Sequence, residues 1–173
     1  MKYMKQTTLE EVSAGGVVYR KTGAKIEFLI GKHSGYHKWV LPKGLVEKRE
    51  SQMDAAVREV EEEVGVKAKI VDMVPLKIIE YYYMADFAKI SGIDAKGEVS
   101  ERRVKKYQEE GGGKTRIHKQ VVFYLMEMEN DLGKGGWEME ERQWVNFEEG
   151  YRMLAFETER EVWEVAGRAL KCL

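Results

Sequence analysis

The spacing of apolar and polar positions changes several times along this chain, and each change predicts an element. Two β-rich runs, "EVSAGGVVYRK" (11–21) and "KIEFLIGKH" (25–33), flank the short stretch "TGA" and read as a hairpin. "HKWVLPKG" (37–44) is a short apolar run stopped by Pro42 and Gly44, which mark a loop. Over 51–64 the period lengthens to that of a helix: Met53, Val57, Val60 and Val64 fall at i, i+4, i+7 and i+11. Ser51 and Asp54 form a capping-box-like start, and Gly65 is placed as the C-cap. Beyond the helix, 67–87 reads as one or two strands broken near Pro75, and 118–129 as another. Residues 136–147 read as a loop running into a short strand. At the end of the chain, Tyr151, Leu154, Ala155, Val162, Val165, Ala166 and Leu170 recur at helical spacing, with a break near 156–158, so one or two helices close the fold. No internal repeat is visible. A polar, highly charged stretch at about 88–116, containing three consecutive glycines, stands apart as an insertion in an otherwise single domain spanning 1–173.

Composition narrows the function classes. A chain of 173 residues, 43% hydrophobic and 34% charged, is long enough to bury a core. Lys plus Arg (29) nearly balances Asp plus Glu (30), so bulk charge offers nothing to nucleic acid or to an acidic membrane surface. Cys172 is the sole cysteine, which removes internal disulfides and cysteine-based zinc sites and fits a reducing, cytoplasmic setting. The N-terminal stretch lacks a signal-peptide core, and no run approaches the roughly 18 apolar residues of a membrane span. The expectation is a cytoplasmic monomer or homodimer acting on a small molecule.

The helix at 51–64 carries the candidate chemistry. At about 100° per residue, Glu59, Glu62 and Glu63 are expected on the side opposite the apolar stripe, converging around one direction, with Glu61 off to the flank. A solvated charged face is the ordinary meaning of such a run. Here, however, like charges at i, i+3 and i+4 repel by a few tenths of a kcal/mol per pair, and no lysine within the helix offsets them. Glu62 and Glu63 also occupy the last turn, where the helix dipole opposes negative charge. A cation is therefore expected, and an oxygen-only cluster suits a hard one such as Mg²⁺ or Mn²⁺. Gly44 can bring its backbone close to the same ion, and Glu50 and Arg58 are placed to form an ion pair tying the loop to the helix.

Residues 44–66 resemble the signature of the Nudix hydrolases. Gly44, Glu50, Arg58, Glu59, Val60, Glu62, Glu63, Gly65 and Val66 fill the pattern G-x5-E-x7-R-E-U-x-E-E-x-G-U, with U a bulky aliphatic residue. "SAGGVVYR", the "W…LPKG" entry and Trp144-Val145 are also similar to the family. The resemblance implies an α/β fold in which a mixed sheet lies between helices, and hydrolysis of a nucleoside diphosphate linked to another group. It implies Mg²⁺ bound by Glu59, Glu62, Glu63 and the Gly44 carbonyl, with Mn²⁺ able to substitute. Arg58 and Glu50 belong to the same machinery. The general base is left between Glu62 or Glu63 and a distal acid, Glu140 or Glu141, of which Glu141 is also a candidate metal ligand.

Substrate choice rests on residues outside that signature. "SAGGVVYR" with "LPKG" is most similar to the diadenosine-polyphosphate hydrolases and diphosphoinositol phosphatases. Lys43, Lys32, His118 and Lys119 are candidate polyphosphate contacts, alongside His33, Lys38 and Arg116, and Tyr82 is a candidate stacking partner for a base. The leading reading is cleavage of diadenosine tetraphosphate to ATP and AMP. The alternatives are the same chemistry on oxidised nucleoside triphosphates, diphosphoinositols or RNA 5′ ends, and, from another class, a non-catalytic nucleotide sensor.

Overall fold

The computed structural model describes residues 8–86 and 114–172. Among the described residues, eight strands and three helices follow in the order β1 (Thr8–Thr22), β2 (Lys25–His33), β3 (Lys38–Val40), β4 (Lys43–Leu45), α1 (Gln52–Val64), β5 (Val66–Ile70), β6 (Lys77–Asp86), β7 (Lys114–Asp131), β8 (Met139–Val145), α2 (Phe147–Met153) and α3 (Glu157–Ala169). Every element expected from the pattern within these residues is present. The expected insertion at 88–116 lies outside the described residues up to 113; its last three residues belong to β7. None of the described helices is long and apolar enough to cross a membrane.

The chain divides into two compact units, Val12–Ile79 with Val121–Leu173, and Met1–Glu11 with Glu80–Gln120. β1, β6 and β7 each have residues in both.

The larger unit is built on the strand order β3-β2-β1-β7-β5, with β4 paired to β1 and β8 to β2. Its layers follow from the two-residue period of the strands, which sends neighbours to opposite faces. Val17, Phe28, Ile30 and Phe123 meet Phe147, Leu154, Val162, Trp163 and Ala166 of the α2–α3 region on one face. Ala14, Val18, Leu29, Val122 and Met126 meet Ala55, Ala56, Val60 and Val64 of α1 on the other. The sheet is thus sandwiched between helices. Trp163, fully buried, donates its indole N–H to the Phe147 carbonyl at 3.0 Å, so the closing helices are locked to each other by a satisfied polar atom inside an apolar cluster.

The smaller unit has its own apolar contact, Ile117 packed with Leu9 and Tyr83. Beside it Lys119 pairs with the fully buried Glu11 at 2.6 Å, and the Tyr83 hydroxyl donates to the same carboxylate at 2.9 Å.

Candidate active site

Helix α1 begins and ends as its sequence dictates. Ser51 is the N-cap and accepts a hydrogen bond from the Asp54 N–H at 3.0 Å. Gly65 ends the helix in the left-handed region (φ 62°), where a side chain would be strained. The negative end is compensated from outside the helix. The Arg142 guanidinium on β8 donates to the Val64 carbonyl at 3.0 Å, and the Gly136 N–H donates to the Glu62 carbonyl at 2.7 Å.

The orientation of the carboxylates differs from the expectation. Glu59 and Glu63 are not on the solvent side: they are buried together with Ala55, Ala56, Val60 and Val64. Met53 and Val57, expected in the buried apolar stripe with Val60 and Val64, are only half-buried. The buried arc is rotated because β4 lies beside α1 and presents Gly44, which has no side chain to hold the helix off. A Cβ at Gly44 would collide with the Glu59 carboxylate. Glu62, with 57% of its side chain exposed, and the exposed Glu61 face outward. Among the described residues, no three acidic, His or Cys groups converge as a ready metal-binding set. The carboxylates are drawn apart by partners.

Those partners are specific. Arg58 donates to Glu50 through Nε (2.8 Å) and Nη2 (2.9 Å), so the expected ion pair is present and bidentate. The same guanidinium reaches Glu59 at 2.7 Å, Glu62 at 3.2 Å and the Leu45 carbonyl at 2.9 Å. An arginine inside the helix therefore supplies part of the compensation expected from a metal. Hydrogen bonds from Arg58 hold the Glu50 carboxyl below its usual range. Glu63 accepts a single main-chain bond, from the Lys43 N–H at 2.9 Å. Burial pushes its carboxyl well above the usual range; Lys43 pulls the other way, while Glu138 and Glu59 push further upward. Burial raises Glu59 too, against the pull of Arg58 and with Glu62 and Glu138 adding to the rise. Two desolvated carboxylates, with further acidic charge acting on both and only Arg58 and Lys43 pulling the other way, are short of positive charge.

The chemistry of the donor set fits a hard divalent cation: Glu59, Glu62 and Glu63 offer only oxygen, and the Gly44 backbone lies against the Glu59 carboxylate so closely that a Cβ would collide with it.

The other candidates fall in three places. On β2 and β8, Lys32 bonds Glu141 at 2.9 Å and Glu140 at 3.1 Å, and His37 bonds Glu140 at 2.8 Å. The register explains this, since Lys32 stands opposite Glu141 in the β2–β8 pair. Glu141, expected to join the metal site, is thus directed to a lysine, and it is Glu138, just before β8, whose charge bears on Glu59 and Glu63. Glu138 was not among the expected site residues, although Gly133, Gly135 and Gly136 precede it, and the last two approach the Glu63 and Glu62 carbonyls too closely for a Cβ. Lys43 keeps its backbone at Glu63 but turns its ammonium to Glu159 at 3.0 Å. Burial opposes that charge, yet Glu159, Tyr36 and Glu63 carry the Lys43 ammonium above its ordinary value.

The third group, His118, Lys119 and Tyr82, belongs to the smaller unit. Lys119 is buried against Glu11, His118 bonds Glu10 at 2.7 Å, and Tyr82, 55% exposed, stacks on His118 (4.6 Å) with the Arg116 guanidinium 4.2 Å from its ring.

Comparison with known proteins adds a family. The NUDIX domain family matches residues 9–165. The Mycobacterium tuberculosis protein named MutT4 is 31% identical over 166 residues, which cover 92% of this chain and 55% of that protein; the chain spans about half the length of that relative. A bis(5′-nucleosyl)-tetraphosphatase (asymmetrical) of Caenorhabditis elegans is 46% identical over 55 residues, 31% of this chain and 40% of that one. Among solved structures, a binary complex of the C. elegans Ap4A hydrolase superposes with a TM-score of 0.63 at 22% identity, covering 94% of this chain and 99% of that one. At that identity the likeness shows the fold.

Proposed function

The chain belongs to the Nudix family, and on that premise we propose that it is a Mg²⁺-dependent pyrophosphohydrolase acting on a nucleoside diphosphate linked to another group, with diadenosine tetraphosphate as substrate and ATP and AMP as products. The observation that carries the chemistry is the pair of buried carboxylates, Glu59 and Glu63, packed against the bare backbone of Gly44 and short of positive charge. The choice of substrate is supported by the segment 46% identical to an asymmetrical bis(5′-nucleosyl)-tetraphosphatase.

Glu59, Glu62, Glu63 and the Gly44 carbonyl would hold the cation, and Mn²⁺ could replace Mg²⁺. When bound, a divalent ion polarises phosphoryl oxygens, lowers the pKa of a water and spreads the charge that develops on attack. The chain's own residues position that event. Glu50 fixes Arg58, and Arg58 fixes Glu59, so the loop before α1 and the helix move as one. To Glu138, which follows the glycine-rich segment packed against the last carbonyls of α1, we assign the proton of the attacking water; the action of its charge on Glu59 and Glu63 supports this. Glu141 is better matched to Lys32 than to this role. Lys32 and Lys43 are the cations of the larger unit that we assign to the polyphosphate of the substrate.

Product chromatography after incubation with Mg²⁺ and diadenosine tetraphosphate tests this reading, with Glu63→Gln as blank. Equal amounts of ATP and AMP, missing from the blank, are expected. No turnover removes the dinucleotide reading and passes the question to a panel of other nucleoside diphosphate compounds; a protein that binds but cleaves none of them is a sensor.

A further inference from the structure

Glu159 lies 96 positions beyond Glu63 and outside every motif named so far. It occupies the first position of a helical core stripe, with Val162, Trp163 and Ala166 at i+3, i+4 and i+7, and only 2% of it is exposed. A carboxylate in a place made for an aliphatic side chain costs desolvation energy, and buried ion pairs are often no more stabilising than apolar residues of the same volume. Stability alone does not account for it. Its contacts do: one oxygen accepts the Leu41 N–H at 2.9 Å, and the other faces the Lys43 ammonium at 3.0 Å. Between them they grip both ends of the Leu41-Pro42-Lys43 turn, whose Pro42 carbonyl is held from the other side by the Gly16 N–H at 3.2 Å. The next two contacts along the chain are the Lys43 N–H on Glu63 and the Gly44 backbone against Glu59.

We propose that Glu159 is a positioning residue for the metal site: through Leu41 and Lys43 it fixes the turn that aims the Lys43 N–H at Glu63 and seats Gly44 beside Glu59. This rests on the metal-dependent reading above. Helix α3, clamped in the core by Trp163, thereby acts as the back wall of a site formed by β4 and α1. Nothing in the sequence between α2 and the C-terminus carries a catalytic signature, so the link is visible only once the chain is folded.

The test uses the full chain as wild type, Glu159→Gln and Glu159→Ala. Glutamine keeps an acceptor for Leu41 and drops the charge facing Lys43; alanine drops both. In metal-free protein, amide hydrogen exchange over 41–45 is expected to speed by about tenfold or more in Glu159→Ala and by less in Glu159→Gln, while 55–60 in α1 exchanges at the wild-type rate. The dissociation constant for Mn²⁺, read by electron paramagnetic resonance, is expected to rise by roughly 10–100-fold in Glu159→Ala, the range found when groups that orient metal ligands are removed, and by less in Glu159→Gln. If the alanine variant does not fold, Glu159→Gln carries both readouts. Unchanged exchange over 41–45, an increase spread evenly along the chain, or wild-type Mn²⁺ affinity in the folded variants overturns the positioning role while leaving the metal reading intact. A wild type that binds no Mn²⁺ overturns the metal reading itself, and the positioning role with it.

Discussion

Two rows of glutamates in this protein look alike on paper, yet the pair Glu59 and Glu63 of one and the pair Glu140 and Glu141 of the other sit in opposite surroundings. In "EVEEE" on α1, Glu59 and Glu63 are buried, and burial raises both carboxyls against the pull of Arg58 and Lys43. In "EMEE" at the start of β8, Glu140 and Glu141 point to Lys32 and His37, and hydrogen bonds from Lys32 hold the Glu140 carboxyl below its usual range. One row is undercompensated and the other is matched. A run of acidic residues therefore says little by itself; what marks a reactive row is desolvation without enough opposite charge.

The strongest way to break this comparison is Glu63→Gln. It removes a charge that burial disfavours while keeping an acceptor for the Lys43 N–H, so turnover is expected to fall by on the order of a thousandfold with the thermal midpoint in EDTA unchanged or raised. Chromatographic rates and a melting curve on the same preparation check both halves. A melt that collapses along with activity would mean that Glu63 braces the fold and that the deficit of charge is no functional signal.

Next in size is the contrast within the β8 row. Glu138→Gln is expected to cost roughly 10–100-fold in turnover, because Glu138 acts on Glu59 and Glu63, whereas Glu141→Gln stays within about twofold of wild type. Equal losses in the two variants would return Glu141 to the metal site.

Much of this was readable before folding, and the failures are instructive. Strand order of appearance, the break at Pro75, the cap at Ser51 and the stop at Gly65 follow from local chemistry and were visible in the sequence. So was the Glu50–Arg58 pair. The facing of the helix was not. A helical wheel assumes that the most apolar arc is buried, and here Gly44, a residue 15 positions away from Glu59, lets the sheet approach the acidic arc instead. Glu138 and Glu159 were missed for a related reason. Each acts through a contact made by another strand or helix, and pairing partners such as Lys32 for Glu141 are fixed by register, which a single sequence does not reveal.

A third carboxylate sharpens the comparison through its pH response. Asp131, at the end of β7, receives Arg142 at 2.6 Å, the Gly133 N–H at 2.9 Å and the Trp144 indole at 3.0 Å. Burial works against its charge, but these donors prevail and hold the carboxyl below its ordinary value of 3.8. A depressed folded pKa contributes stability that is present above the unfolded value and is lost as pH falls through the folded one. Urea midpoints should therefore decline as the medium is acidified below about pH 4, and Asp131→Asn should lower stability by about 1–3 kcal/mol at neutral pH and flatten that decline. Because Arg142 also holds the Val64 carbonyl, part of this loss should be felt at the end of α1.

The smallest effect belongs to a neighbour within the same row. Glu61 lies two positions from both Glu59 and Glu63, and the helix turns it outward to solvent; its backbone carbonyl serves the Gly65 cap through the main chain alone. Glu61→Gln removes one like charge from a crowded helix, which is worth only a few tenths of a kcal/mol in stability, and should leave turnover within about twofold of wild type. Measured beside Glu63→Gln in the same assay, it separates net charge from position: both variants change the charge of α1 by the same amount, so a comparable loss in the two would mean that the helix acts through its field. A large difference assigns the chemistry to the buried arc.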